Sequence, residues 1–337
     1  MPDLEPIIVT GGLGFIGGYV MRALVELGRE VVALTRGNPA TPDMQFALRD
    51  YSGRYTAEVA SVEDLPKLLD VFGRLHPMCV IHAASNVEVA ALYRDPYAAF
   101  QTNVTGTLNV LEAARKTGVR RVVDISSIGV LPAIQYEPID GAHPFVLARE
   151  GPGSGAYGAA KASGELFAFA YQRAYGIDIR IVRPSAVYGF GMQSHSANYM
   201  KQFVEPAVRG EKVKVPSGGR LPRDYTYVLD VATLTTHVVD CDEDADRIFY
   251  AATGRPLITA AQAAKLVAEL VPGSSIEVGD AMTAEDEVEA SFRGVISIEN
   301  AKQQLGWTPR YAALRDGISE YIATYRAFLA QAGSSQG

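Results

Sequence analysis

The stretch PIIVTGGLGFIGGYV, residues 6–20, runs from a β-branched segment through a cluster of glycines into a longer amphipathic segment. That order reads as strand, tight turn and helix. Gly11, Gly14 and Gly17 satisfy the spacing GxxGxxG, and Gly12, Gly14 and Gly17 satisfy GxGxxG. Glycines in such a turn let the backbone approach a pyrophosphate closely, while the first N–H groups of the following helix stay free to bind it. The pattern alone is weak, and its place between a strand and a helix gives it weight. The stretch therefore predicts a dinucleotide-binding turn.

Outward from it, EVVALT (30–35), MCVIHAA (78–84), NVTGTLNVLEAARKTG (103–118) and RVVDISS (121–127) alternate short β-branched runs with longer helical ones. This alternation predicts an α/β fold with a doubly wound parallel sheet, the Rossmann arrangement. After GIDIRIVRPSAVYG (176–189) the alternation breaks, and a smaller C-terminal α/β substrate lobe is expected to begin. Its pieces are a helix around SANYMKQFVEPAVRG (196–210), a polar strand KVKVPSGG (212–219), the segment RDYTYVLDVATLTTHVV (223–239), a helix in TAAQAAKLVAEL (259–270) and a last helix in AALRDGISEYIATYRAFLAQ (312–331). Residues 1–183 with about 225–252 are assigned to the nucleotide domain, and 184–224 with 253–330 to the substrate lobe.

With 337 residues the chain is long enough for two lobes. Its 38 acidic and 31 basic residues give a net charge of −7 without a basic block, so no nucleic-acid partner is expected. No apolar run approaches the roughly 20 residues that cross a bilayer, and MPDLEP lacks the basic start of a signal peptide, so a cytoplasmic protein is expected and no membrane. Cys79 and Cys241 fit no disulfide or metal spacing, and the scattered histidines form no ligand pair. No metal site is expected.

The choice between cofactors is read at the end of the second strand, where an acidic residue would hold the ribose hydroxyl of NAD. Thr35 and Arg36 stand there instead. A guanidinium suits a 2′-phosphate, which favours NADP over NAD; an Arg36 lying over the adenine without discriminating is the alternative. Farther on, GAYGAAKASGE (155–165) places Tyr157 and Lys161 four residues apart, one above the other on a helix. On their own they could be a solvated face.

Taken together, these motifs resemble the extended short-chain dehydrogenase/reductase family, of the NAD(P)-dependent sugar epimerase/dehydratase type. The likeness runs nearly end to end: TGGLGFIG (10–17), HAASNV (82–87), NVTGTLNVLEAAR (103–115), ISSIGV (125–130), YGAAK (157–161), VRPSAVYG (182–189), RDYTYVLDVA (223–232) and ENAKQQLGWTP (299–309). The resemblance implies an enzyme in which Ser127 and Tyr157 contact the reacting hydroxyl and Lys161 holds the nicotinamide ribose. It implies that Gly11, Gly14, Phe15, Ile16 and Gly17 line the pyrophosphate, with Thr35, Arg36, Glu58 and Val59 at the adenosine end. Ala83, Ala84 and Ser85 would lie near the ribose and Pro184 beside the nicotinamide; Asn103 either touches the cofactor or ties the sheet together.

Proton removal from an alcohol needs a base ionised near neutrality, and free tyrosine titrates about three units too high, a gap of roughly 4 kcal/mol. A lysine ammonium about 5–6 Å away supplies on the order of 3 kcal/mol of this. Ser127 would hydrogen-bond the substrate oxygen as charge develops on it. Hydride transfer to or from a secondary alcohol of a sugar, sugar nucleotide or related substrate follows, with epimerisation or net oxidation and reduction both open.

On the substrate side, two departures stand out. Ala186 replaces the asparagine that most sugar-nucleotide members carry, which leaves room for a non-nucleotide alcohol or ketone; Ile128 and Gly129 replace the acid pair of dehydratases, which argues against loss of water. Arg223 stays where the family usually binds a diphosphate or nucleoside, with an ion pair to Asp224 as the alternative. His143 and Arg149, in the long loop between Ser127 and Tyr157, and His195 and Asn198 in GFGMQSHSANYM (189–200) are weaker substrate candidates. A non-catalytic NADP-sensing binding protein is the different-class alternative, against which the retained Ser127, Tyr157 and Lys161 argue. Alanine-rich faces on the helices at 98–116 and 157–175 raise a homodimer through a four-helix bundle, although such faces also pack within one subunit.

Overall fold

The structure is a computed structural model, and it describes residues 5–88, 92, 94–131, 133–145, 155–193 and 199–334. Regular structure begins with β1 (Ile7–Thr10), α1 (Phe15–Glu26) and β2 (Val31–Thr35), followed by α2 (Pro42–Leu48), β3 (Thr56–Val59), α3 (Leu65–Leu75) and β4 (Cys79–His82). A short helical turn at Pro96–Ala99 passes through a π-helical segment at Phe100–Thr105 into α4 (Gly106–Thr117). The alternation then continues through β5 (Arg121–Ile125), α5 (Gly155–Tyr175) and β6 (Asp178–Pro184).

Seven parallel strands form one sheet, and six of them are now placed in the order β6-β5-β4-β1-β2-β3. Parallel neighbours require crossovers, which the helices supply on both faces. Successive strand residues point to opposite faces, and the sequence obeys this. Ile7 and Val9 join Tyr19, Val20 and Leu24 of α1 in one apolar layer, while Ile8, Val32 and Val80 join Val71, Phe72, Val110 and Leu111 in the other. α3 is started by Asp64, whose side chain accepts from the Lys67 N–H at 3.0 Å. Strand order reverses beside β1, which opens a crevice at the carboxyl ends of β1 and β4.

Beyond β6 come β7 (Ala186–Tyr188), α6 (Met200–Val208), β8 (Lys212–Val215), β9 (Pro222–Arg223), β10 (Tyr225–Tyr227), α7 (Val228–Val239) and β11 (Ile248–Ala251). The remaining elements are β12 (Ile258–Thr259), α8 (Ala260–Leu270), β13 (Ser275–Val278), α9 (Ala284–Ser291), α10 (Glu299–Leu305) and α11 (Leu314–Ser334). β11 returns to the large sheet as its seventh strand, with Ile248 opposite Ile181 and Ala251 opposite Pro184. The other strands pair in twos: β7 with β10, β9 with β12 and β8 with β13. The polar run KVKV is thus a strand, and its partner SIEV (275–278), equally polar on alternate positions, escaped the sequence reading for that reason. α8 opens on a capping box between Thr259 and Gln262. Phe190, Tyr321, Tyr325 and Phe328 pack together and seat α11 against the chain that follows β7.

Cys79 behaves as a small apolar core residue, since burial pushes its thiol up to about 12. Among the described residues, no helix is long and apolar enough to cross a membrane.

Candidate active site

The turn after β1 is shaped by what it lies against. Gly11 has φ +66°, and a Cβ there would stand 2.9 Å from Ala84 Cα and 3.0 Å from Ala84 N. Only glycine lets the first turn and the loop after β4 approach this closely. The Gly14 N–H donates to Gly11 O at 2.9 Å, and Gly14 caps α1 without a side chain. The first N–H groups of a helix have no partner inside it, so Phe15, Ile16 and Gly17 present a positive end to the crevice. Narrow backbone and open donors fit the pyrophosphate of a dinucleotide.

Beneath the turn runs a buried chain of hydrogen bonds. Thr107 donates to Asn103 O at 2.7 Å, so His82 Nε2 must be the donor to Thr107 Oγ1 at 3.0 Å, and Nδ1 accepts from Thr10 Oγ1 at 2.8 Å. Thr10 Oγ1 in turn accepts from the Ala84 N–H at 3.2 Å. Burial, aided by the Lys161 charge, drives His82 down to about 3, so it is neutral. Asn103 is 1% exposed; its Oδ1 accepts from Ser85 Oγ at 3.1 Å and the Asn86 N–H at 2.7 Å, and its Nδ2 donates to Asn86 O at 2.9 Å. What it ties is the loop after β4. At the ends of β2 and β3, Thr35 Oγ1 accepts from the Gly37 N–H at 2.8 Å, Arg36 is exposed, Glu58 pairs with Arg74 at 3.0 Å and Val59 is exposed.

Tyr157, Lys161 and Glu165 follow one another at four-residue spacing on α5 and share a face. Lys161 is 3% exposed and donates from Nζ to Ile125 O at 2.8 Å, which fastens the helix to β5 two residues before Ser127. Ser127 Oγ accepts from the Gly129 N–H at 3.0 Å and caps the turn at Ile128–Val130. Its hydroxyl proton remains available for a second oxygen. One helical turn farther, Glu165 accepts two bonds from Arg183, at 2.9 and 2.5 Å, and one from Ser126. Arg183 also donates to Tyr250 Oη at 2.7 Å. The helix, β5, β6 and β11 are joined through one buried cluster, and Pro184 follows Arg183 directly at the end of β6.

On the opposite side Arg223, 1% exposed, donates to both carboxylate oxygens of Glu289 at 2.9 and 3.1 Å. Arg293 donates to the same carboxylate at 2.7 Å. Asp224 is not the partner of Arg223: it accepts instead from Thr226, at 2.8 Å, and from the N–H and hydroxyl of Thr253, at 3.0 and 2.6 Å. Burial alone would push the Glu289 carboxyl up, but Arg293 and Arg223 more than offset it and hold it below the usual range. Burial pushes the Arg293 guanidinium below its ordinary value, with Glu289 opposing and Arg223 adding. Arg293 and Ser291 border a recess of about 380 Å³ together with Ile134, Gln135, Tyr136 and Glu137.

Ala186 is buried on β7. His143 is 4% exposed; its Nε2 accepts from the Gln135 N–H at 3.0 Å and its ring packs on Tyr136, so it pins its own loop. His195, Asn198 and Arg149 lie outside the described residues. The sequence reading missed Glu165, Arg183, Glu289 and Arg293. Glu165 continues the spacing of Tyr157 and Lys161, and Glu289 stands four before Arg293, so both signals were present in the helical period.

A sequence model described as the NAD dependent epimerase/dehydratase family matches residues 7–251. A UDP-glucose 4-epimerase of Mycolicibacterium smegmatis is 27% identical over 332 residues, covering 95% of this chain and 98% of its own. The crystal structure of UDP-glucose 4-epimerase with UDP-glucose from Thermotoga maritima superposes with a TM-score of 0.82 at 26% identity, covering 96% of this chain and 99% of that one. The Thermus thermophilus UDP-glucose 4-epimerase in complex with NAD gives 0.80 at 26% identity, covering 95% and 99%.

Proposed function

We propose that this chain, which belongs to the NAD dependent epimerase/dehydratase family, transfers hydride to and from a secondary alcohol of a sugar, sugar nucleotide or related substrate through Ser127, Tyr157 and Lys161. The observation that carries this reading is the 2.8 Å bond from Lys161 to Ile125 O, which holds the tyrosine helix to the serine strand. A nicotinamide dinucleotide, when bound, supplies the hydride acceptor. Gly11, Gly14, Phe15, Ile16 and Gly17 would hold its pyrophosphate, Thr35, Arg36, Glu58 and Val59 its adenosine end, Ala83, Ala84 and Ser85 a ribose, and Pro184 the nicotinamide. Asn103 serves these contacts through the loop it fastens. Tyr157 takes the hydroxyl proton as hydride leaves the carbon that bears the hydroxyl, Lys161 would hold the nicotinamide ribose, and Ser127 donates to the substrate oxygen. Return of the hydride to the opposite face of the carbonyl carbon, with the proton going back to its oxygen, epimerises the carbon; release of the reduced dinucleotide is net oxidation.

NADP is preferred over NAD on the exposed guanidinium of Arg36, which suits a 2′-phosphate. The nucleotide domain is taken as 1–183 with about 225–252, because β11 returns to the large sheet. The substrate lobe is 184–224 with 253–330, and Ala186, Arg223, His143, His195 and Asn198 stay as its substrate candidates. A cytoplasmic location and a homodimer complete the reading. The alanine faces are used inside the subunit, where Ala99 and Ala160 share a small core, while Tyr97, Phe100, Leu166 and Phe167 remain exposed on the outside of the same helices as an apolar face for a second copy.

A second reading, a non-nucleotide alcohol or ketone, is favoured by one observation: Glu289 already occupies the arginines that a diphosphate would claim. A thermal-shift screen of UDP, UDP-glucose, sugar acids and simple ketones with each cofactor separates the two, UDP stabilising the protein only under the first. Tyr157→Phe tests the chemistry. It should keep dinucleotide binding and lose turnover by about a thousandfold or more; turnover within tenfold of the parent overturns the reading.

A further inference from the structure

A cavity of about 350 Å³ lies among β9, β12, α8 and the start of α11. Neither the glycine turn nor Ser127, Tyr157 or Lys161 borders it, and it shares no lining residue with the recess beside Arg293. Its walls are mostly apolar: Ile258 comes from β12, Leu266 from α8, and Ala312, Ala313 and Leu314 from the chain that enters α11. A space of this size suits a small organic ligand whose bulk is hydrocarbon.

Four charged side chains border the same space, and they differ in what they already hold. Arg223 is buried and bound to Glu289, and Asp224 is buried with its oxygens accepting from Thr226 and Thr253. Arg315 pairs with Glu269 of α8. Arg255 is exposed and makes no ion pair among the described residues. Its backbone is nevertheless anchored, because its N–H donates at 3.2 Å to Thr253 Oγ1, which itself donates to Asp224 at 2.6 Å. Between the two, Gly254 has φ +67°, and a Cβ there would stand 2.9 Å from the Ile298 side chain, so the turn needs glycine. The cavity therefore carries an unmatched guanidinium on a fixed turn at its rim.

We propose that this cavity is a second ligand site, for a small organic carboxylate with an apolar body: Arg255 pairs with the carboxylate, and Ile258, Leu266 and Leu314 enclose the rest. A free sugar is a poorer match, since each hydroxyl laid against the aliphatic wall loses its water without gaining a partner. A bare inorganic anion would leave that wall uncovered. The site meets the substrate side through one strand pairing. Ile258 of β12 stands opposite Arg223 of β9, and Arg223 holds Glu289, so the ligand packs on the strand beside the one that positions this arginine.

The test uses the whole protein with ¹³C-labelled isoleucine and leucine methyls and benzoate as the probe, the signals of Ile258 and Leu266 being assigned through Ile258→Val and Leu266→Met. Both should shift saturably in a titration to about 50 mM, which exceeds the weakest affinity expected of a ligand this small. The methyls of Ile7 and Leu24, in the layer under the glycine turn, should stay fixed. Arg255→Gln, at an exposed position, should weaken benzoate about fivefold or more, and benzyl alcohol, the same ring without the charge, should bind the parent about fivefold or more weakly than benzoate does. Ile258 and Leu266 signals that do not move overturn the proposal. So does Arg255→Gln protein that binds benzoate as the parent does, or benzyl alcohol that binds as tightly as benzoate.

Discussion

Glu165 and Glu289 are both buried against arginine, the first one to one with Arg183 and the second between Arg223 and Arg293. In the first cluster both side chains are sealed, at 0% and 1% exposure, and Ser126 and Tyr250 take up remaining valences. In the second, one carboxylate faces two guanidinia, the glutamate is 16% exposed and a recess lies alongside. A balanced buried pair is a fixed joint. A two-to-one cluster shares one carboxylate between two guanidinia at the edge of open space, and so is less closed than the first.

The comparison breaks most easily at the joint. Arg183→Met removes the only cation bound to Glu165 among the described residues and should cost about 3–5 kcal/mol of stability in a denaturant titration. A loss below about 1 kcal/mol, the size expected of an exposed pair, would mean the two clusters do not differ in kind. Glu289→Gln sharpens the contrast. It leaves Arg223 and Arg293 confronting each other, so UDP binding followed by calorimetry should tighten about tenfold, roughly 1.4 kcal/mol. No gain in affinity would remove the argument that Glu289 fills an anion position. The smallest effect is expected at a cation with no buried carboxylate beside it: Arg36→Asp should lower the preference for NADP over NAD by about five- to tenfold, since solvent and salt screen an exposed guanidinium. Binding of both cofactors by fluorescence quenching reads it.

The turn after β1 was legible in the sequence because its shape is set by backbone. Gly11, Gly14 and Gly17 are needed where side chains would collide, and so they are visible as letters. Tyr157 and Lys161 were legible through the helical period. The same period extends to Glu165 and links Glu289 to Arg293, yet their arginine partners Arg183 and Arg223 come from distant strands, and no spacing in the chain reports that. Arg223 was read as a substrate-side residue with an ion pair to Asp224 as the alternative; Asp224 accepts from Thr253 instead, and Arg223 meets Glu289 from a distant helix. β13 was missed because four residues of alternating polarity read equally well as loop.

The hydrogen bond from Arg183 to Tyr250 has a chronological consequence. The glycine turn is synthesised early, but α1 behind it packs against α7 and donates from Tyr19 Oη to Phe190 O at 3.0 Å, and Tyr250 reaches β11 only after the chain has built α6, α7 and the strands between them. A nascent chain emerging from the ribosome therefore completes both the packing of α1 and the joint of Glu165, Arg183 and Tyr250 only when its later half arrives.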